Sequence, residues 1–115
     1  MQTRGSYYNR TIYSAAITDT NAKTSDVAEI SGYSKKSIIV KNSLDQNAAI
    51  QVQGSADNIT FVNVGTATTV NTDTNALIGE KEVAELVNYF PFIRATITAA
   101  GIATEGTVII QIVAV

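Results

Sequence analysis

The sequence predicts an all-β protein, an antiparallel β-sandwich of jelly-roll-like form with seven to eight strands. Three observations predict it. Thr, Ala, Val, Ile and Asn dominate while Leu, Lys and Glu are sparse, which suits short strands filled with β-branched residues. Apolar residues make up 45% and charged residues 16%, a balance opposite to that of a disordered chain. Alternating apolar runs recur about every ten residues between Gly, Asn and Asp turn signals, the rhythm of a sandwich.

Taken in order, residues 11–18 form the first strand, with Ile12, Ser14 and Ala16 on one side and Tyr13, Ala15 and Ile17 on the other. Residues 27–30 give a shorter second. Residues 37–41 ("SIIVK") give a third, and "NSLDQN" turns the chain. Residues 48–53 alternate cleanly, Ala48, Ile50 and Val52 inward against Ala49, Gln51 and Gln53 outward. "GSADN" then turns, with Gly54, Asp57 and Asn58 as the turn residues. Gly and Asn tolerate left-handed φ, and an Asp carboxylate accepts nearby backbone N–H groups. Residues 59–64 return, so 37–64 read as a three-strand meander. Short residues 67–71, alternating 92–99 and the closing run 107–115 complete the set. In 92–99, Ile93, Ala95 and Ile97 face in. The predicted core holds Ile38, Val40, Ile50, Val52, Phe61, Ile93, Ile97 and Ile110.

One window departs from period two. Val83, Leu86, Val87 and Phe90 fall on a helical stripe that Pro91 ends, which predicts a short helical turn near 80–88.

One ordinary domain fits 115 residues. Within it, residues 1–25 read as an extended N-terminal arm or first strand and residues 26–115 as the sandwich. The arm carries Arg4, Arg10 and Lys23 against Asp19, a net +2, while the remainder sums to −4. Tyr7, Tyr8, Ile12 and Tyr13 are the arm residues suited to an inter-subunit contact, as a strand added to a neighbour's sheet edge. The alternative is an ordinary first strand paired in its own sheet. The last strand, "TVIIQIVAV", is apolar on both faces, which calls for a covering neighbour or a central place in the sandwich.

The composition also excludes chemistry. The chain has neither Cys nor His. That removes disulfides, thiolate nucleophiles, the commonest general base and the usual zinc ligands. Carboxylates at Glu80, Glu82 and Glu85 read as solvated helix surface. No phosphate-binding glycine motif occurs. Catalytic residues, cofactor and metal are all expected to be none. Net charge is −2, so no electrostatic footprint for nucleic acid is expected. No apolar run suits membrane insertion or a cleavable signal, and the expected location is extracellular or on a virion surface, reached without a signal peptide. Asn9 and Asn58 begin glycosylation sequons that chance explains.

The string "TDTNA" occurs twice, at 18–22 and 72–76. Each copy offers one carboxylate, too few for a calcium loop. The flanks do not align as a duplication does. A turn needed twice, capped by Asp and Asn side chains, explains both.

The stretch Gly54-Ser55-Ala56-Asp57-Asn58-Ile59-Thr60-Phe61 resembles the G-S-x-D-G-x-x-aromatic hairpin of small β-sandwich domains found in phage virion proteins and in surface proteins of spore-forming bacteria. Tyr89 to Thr98, containing Phe92-Ile93-Arg94, resembles the segment that follows in those domains. Asn58 stands where those domains usually have Gly. The resemblance covers residues 37–115 and implies a non-enzymatic structural subunit of a large assembly. Three functions follow as expectations. The first is a homopolymer, an extracellular filament or tube, built by N-terminal strand addition between copies. The second is a phage decoration or tail protein bound to a capsid or tail lattice. The third is a carbohydrate-binding module.

Overall fold

The computed structural model describes residues 8–33, 36–77 and 90–115. Among them lie ten strands and no helix: β1 (Tyr8–Ala15), β2 (Lys23–Thr24), β3 (Ala28–Glu29), β4 (Lys36–Asn42), β5 (Ala48–Ser55), β6 (Val62–Asn63), β7 (Thr68–Val70), β8 (Thr74–Leu77), β9 (Phe92–Ala99) and β10 (Val108–Ala114). One sheet has the order β1-β10-β4-β8. The other runs β2-β9-β5-β6, with β3 also on β9 and β7 also on β5. Every pairing is antiparallel.

Since β2 and β3 share one partner, and β6 and β7 another, the ten segments fill eight strand positions. Counted that way, the sheets read 1-8-3-6 and 2-7-4-5, the winding of a jelly roll. The eight positions agree in number with the predicted seven to eight strands, but predicted strands 59–64 and 67–71 share one position as β6 and β7, and β8 was not foreseen.

Both interruptions have a visible cause. Between β2 and β3, Ser25 turns inward, and its hydroxyl oxygen accepts the Ala95 N–H at 2.8 Å. The Ser25 N–H donates to the Ala95 carbonyl at 2.8 Å. Between β6 and β7, the Gln51 side-chain amide donates to the Val64 carbonyl at 3.2 Å, a group the gap in pairing leaves open. Buried polar groups left without such partners would each destabilise by about 1–3 kcal/mol.

Residues 37–64 do not make the predicted meander. β4 lies in the first sheet and β5 in the second, and only β5–β6 is a hairpin. Alternation reveals which side chains are buried. It does not reveal which sheet a strand joins.

The core fills the space between the sheets. Ile38, Val40, Ile50, Val52, Ile93, Ile97 and Ile110 are buried as predicted, alongside Ile12, Ile17, Ile30, Leu44 and Val70. Phe61 is not among them: it is half-buried and packs under a guanidinium instead. β10 occupies the middle of its sheet between β1 and β4, so Val108, Ile110 and Ile112 face the core while Ile109 and Val113 sit half-buried on the outer face. That central place covers the strand's backbone edges; its outer apolar face stays half-buried.

The N-terminal strand is part of this body. β1 pairs with β10 from Tyr8↔Ala114 to Ala15↔Val108, with a bulge between Thr11 and Tyr13. The extra residue of the bulge is Ile12, which turns into the core. Tyr13 packs against the core edge. Residues 8–25 and the described part of the predicted sandwich thus share one core. The predicted helical turn near 80–88 and Tyr7 lie outside the described residues.

Candidate functional site

The registers place the loops in two groups. Ala15, Val108, Asn42 and Thr74 stand level across the first sheet. Ala48, Ala99 and Val70 stand level across the second. Loops 16–22, 43–47, 71–73 and 100–107 therefore crowd one end. The turn 56–61, residues 31–33, the start of β1 and the finish of β10 share the other.

The first end is tied by side chains. Asn42, 2% exposed, donates to the carbonyls of Gln46, Val70 and Asn71 at 3.1, 3.0 and 3.2 Å and accepts the Leu44 N–H at 3.0 Å. Asp45 accepts from the Thr104 N–H at 3.0 Å and its hydroxyl at 2.6 Å. Those bonds hold the Asp45 carboxyl below the usual carboxylate range. The Ser43 N–H donates to the Thr107 carbonyl at 2.9 Å, and Ser43 Oγ accepts the Thr107 N–H at 2.9 Å. Gly106, at φ +89°, lies where a Cβ would strike the Ser43 carbonyl.

Both TDTNA copies belong to this end, in two different turns. In the first, Asp19 accepts the Asn21 N–H at 2.9 Å and pairs with Lys23 at 2.9 Å, so its carboxyl is held low by Lys23 and then Asn21. In the second, Asp73 takes the left-handed φ of +51°, and the Thr72 N–H donates to Asn47 Oδ1 at 3.1 Å. Among the described residues no three or more Asp and Glu converge as metal ligands do.

The opposite end carries the predicted turn. Ser55 Oγ accepts the N–H groups of Asp57 and Asn58 at 3.2 and 2.9 Å, and Asp57 Oδ1 accepts those of Ile59 and Thr60 at 2.9 Å each. The Thr60 and Ile59 amides, then the Ser55 hydroxyl, hold the Asp57 carboxyl low. Asn58 has φ +62°, the conformation glycine usually supplies. Gly54 is not part of the turn. It sits inside β5, and a Cβ there would enter the Phe90 ring, so its role is close packing. The turn displays Ile59 at 82% exposure.

Beside the turn lies a feature the sequence did not single out. Gln53 and Arg94 face each other across β5 and β9 on the outer side of the sheet. Arg94 Nε donates to Gln53 Oε1 at 2.8 Å, Gln53 Nε2 donates to Asn63 Oδ1 at 3.0 Å, and the guanidinium lies 3.8 Å over the Phe61 ring. The outward phase of Gln53 and Arg94 was readable from alternation; their pairing was not.

Further round the same end, Tyr8 meets Tyr33 with ring centroids 5.5 Å apart. A cavity of about 170 Å³ opens among Ile30, Tyr33, Lys36, Phe90 and Pro91. Burial holds the Lys36 amine below its usual value. Of the sequence-predicted residues, Tyr8, Gly54, Asp57 and Asn58 share this end. Ile12 and Tyr13 do not, being core and core-edge residues of β1.

No protein-family model matches the chain, and no curated protein matches it in sequence. Solved structures do share its fold. The PBSX exported protein XepA superposes with a TM-score of 0.67 at 11% identity, over 99% of this chain and 39% of XepA. The chain therefore spans well under half of that protein. PirA superposes with a TM-score of 0.54 at 14% identity, over 100% of this chain and 97% of PirA. A structure of infectious bursal disease virus Gx strain reaches only 0.34 at 12% identity. Identities this low speak of fold alone. The shared fold takes in the N-terminal third, where the sequence resemblance at 37–115 did not reach.

Proposed function

We propose that the chain is a non-enzymatic structural subunit whose copies build an extracellular filament or tube by exchanging the N-terminal strand. The observation that supports this reading is the place of β1. It is an edge strand, joined to β2 by loop 16–22, and it delivers one core side chain, Ile12, to a sheet it enters from the side. A neighbour's β1 can deliver the same residue to the same register without new contacts, which makes exchange between copies energetically close to neutral. The Arg10–Asp26 ion pair at 3.7 Å and the Asp26 N–H bond to the Ile12 carbonyl at 2.8 Å accompany the strand in either arrangement.

The chain's lack of cysteine makes the test clean. Ser14 and Ile109 are cross-strand partners, so a S14C/I109C variant is oxidised after assembly and run on a denaturing gel. Exchange yields a ladder of linked copies. A single band at monomer mass alongside intact assemblies in the electron microscope refutes exchange.

A second reading is a virion decoration or tail protein assembling through its body. The fold shared with the PBSX exported protein XepA favours it. Rings or small oligomers, in place of filaments, are its signature.

A further inference from the structure

Two pinned groups on opposite parts of the molecule complement one another. Arg94 is the first. A surface arginine ordinarily samples many rotamers, but here ring stacking on Phe61 and the Nε bond to Gln53 fix the guanidinium plane. Among the described residues no carboxylate pairs with it; the ion pairs there are Arg10–Asp26 and Lys23–Asp19. The Nη edge is the part of a guanidinium that grips a carboxylate through two parallel bonds, and among the described residues it has no such partner. Because the guanidinium covers the Phe61 ring, that ring is a poor stacking platform for a neutral sugar. An oxyanion suits the site better.

The second group is the loop 100–107 at the tied end. Four anchors fix it: Ala100 to Asn47, Thr104 twice to Asp45, and Thr107 to Ser43. From this fixed loop Ile102 projects at 69% exposure, and Glu105 is exposed with no ion pair among the described residues. An apolar side chain and a carboxylate are displayed by the same loop. Near Arg94, the turn displays Ile59 in the same manner. Both halves are ordered before contact, so little side-chain freedom is lost on binding.

We infer that loop 100–107 of one copy docks on the Arg94 face of the next, Glu105 pairing with Arg94 and Ile102 resting against Ile59 of the turn. The contact joins two different surfaces, so it propagates head to tail. It rests on the reading that copies assemble, and is independent of strand exchange.

Charge reversal tests it. R94E, which gives up the Gln53 and Phe61 contacts, is predicted to melt below the parent and E105R near it; both are predicted to stay folded and to raise the concentration needed for assembly by at least about tenfold. An equimolar mixture of the two is predicted to assemble again, because each variant's knob then meets an opposite charge on the other. R94Q and E105Q provide the same comparison without repulsion if a reversal fails to fold. Light scattering and microscopy read the outcome. If the parent assembles and either folded variant assembles equally well, this contact is wrong and the assembly reading stands. A parent that remains monomeric at all concentrations overturns both. Retention of the parent but not R94E on polygalacturonate, with assembly unchanged, assigns Arg94 to an acidic saccharide and overturns the contact between copies.

Discussion

The two ends of the sandwich solve the same problem by different means. Each must close a stack of strands whose last backbone groups lack ladder partners. At the tied end the closure is polar: Asn42, Asp45, Asn47 and Ser43 bind the backbone of neighbouring loops. At the opposite end the turn 56–61 bonds mainly to itself through Ser55 and Asp57, while its surroundings are aromatic and apolar, with Tyr8 on Tyr33, Phe90 over Gly54 and Ile59 exposed. The polar end fixes loop against loop across both sheets. The apolar end leaves a cavity and exposed surface. Bonds from loop to loop are concentrated at one end, and aromatic contacts with a cavity beside them at the other.

The largest expected effect comes from breaking the tied end at its centre. Asn42→Ala leaves three carbonyls and one N–H without their partner in a buried place. At about 1–3 kcal/mol for an unsatisfied group, with water reaching some of them, a loss of roughly 3 kcal/mol is expected in chemical denaturation. A loss under about 1 kcal/mol would mean that the loops hold each other without it.

A smaller effect is expected at the opposite end. Phe61→Ala should reduce stability by about 1 kcal/mol, since the ring is half-buried and its main partner is the Arg94 guanidinium. A loss of about 3–5 kcal/mol, the value for a fully buried Phe, would place the ring back in the core and remove the contrast between the ends.

The finest comparison is by acid. Asp45 at one end and Asp57 at the other both have folded-state values below the unfolded 3.8. Their stabilisation is complete well above that value. It declines as pH falls through 3.8 and is gone once pH passes below the folded value. Asp45→Asn and Asp57→Asn should each flatten part of the melting-temperature decline below about pH 4. An unchanged acid limb in Asp45→Asn would show that the Thr104 bonds do not distinguish folded from unfolded chain.

Much of the core was legible. Ile50 and Val52, or Ile93 and Ile97, betray burial by period two, because a strand between a core and solvent has no other way to sort its side chains. Asn58 was legible as a turn residue for the same local reason. Ile12 and Tyr13 were read as arm residues from the long Tyr-bearing N-terminus and its charge; the bulge that turns Ile12 into the core is something strict alternation does not foresee. Phe61 was read as core because hydrophobicity alone does not separate an inward ring from one lying under an arginine.

Composition, alternation and turn chemistry are local properties, and they determined the class: an all-β chain of seven to eight strands, the inward face of most strands, and a turn built on Asp57 and Asn58. Pairing is not local. That β4 and β5 part into different sheets, that both TDTNA strings lie at one end, and that Arg94 finds Gln53 and Phe61 were decided when the jelly roll closed. Residues 41 positions apart such as Gln53 and Arg94 carry no mutual signal along the chain. Only the register that buries both sheets' apolar faces at once brings them together.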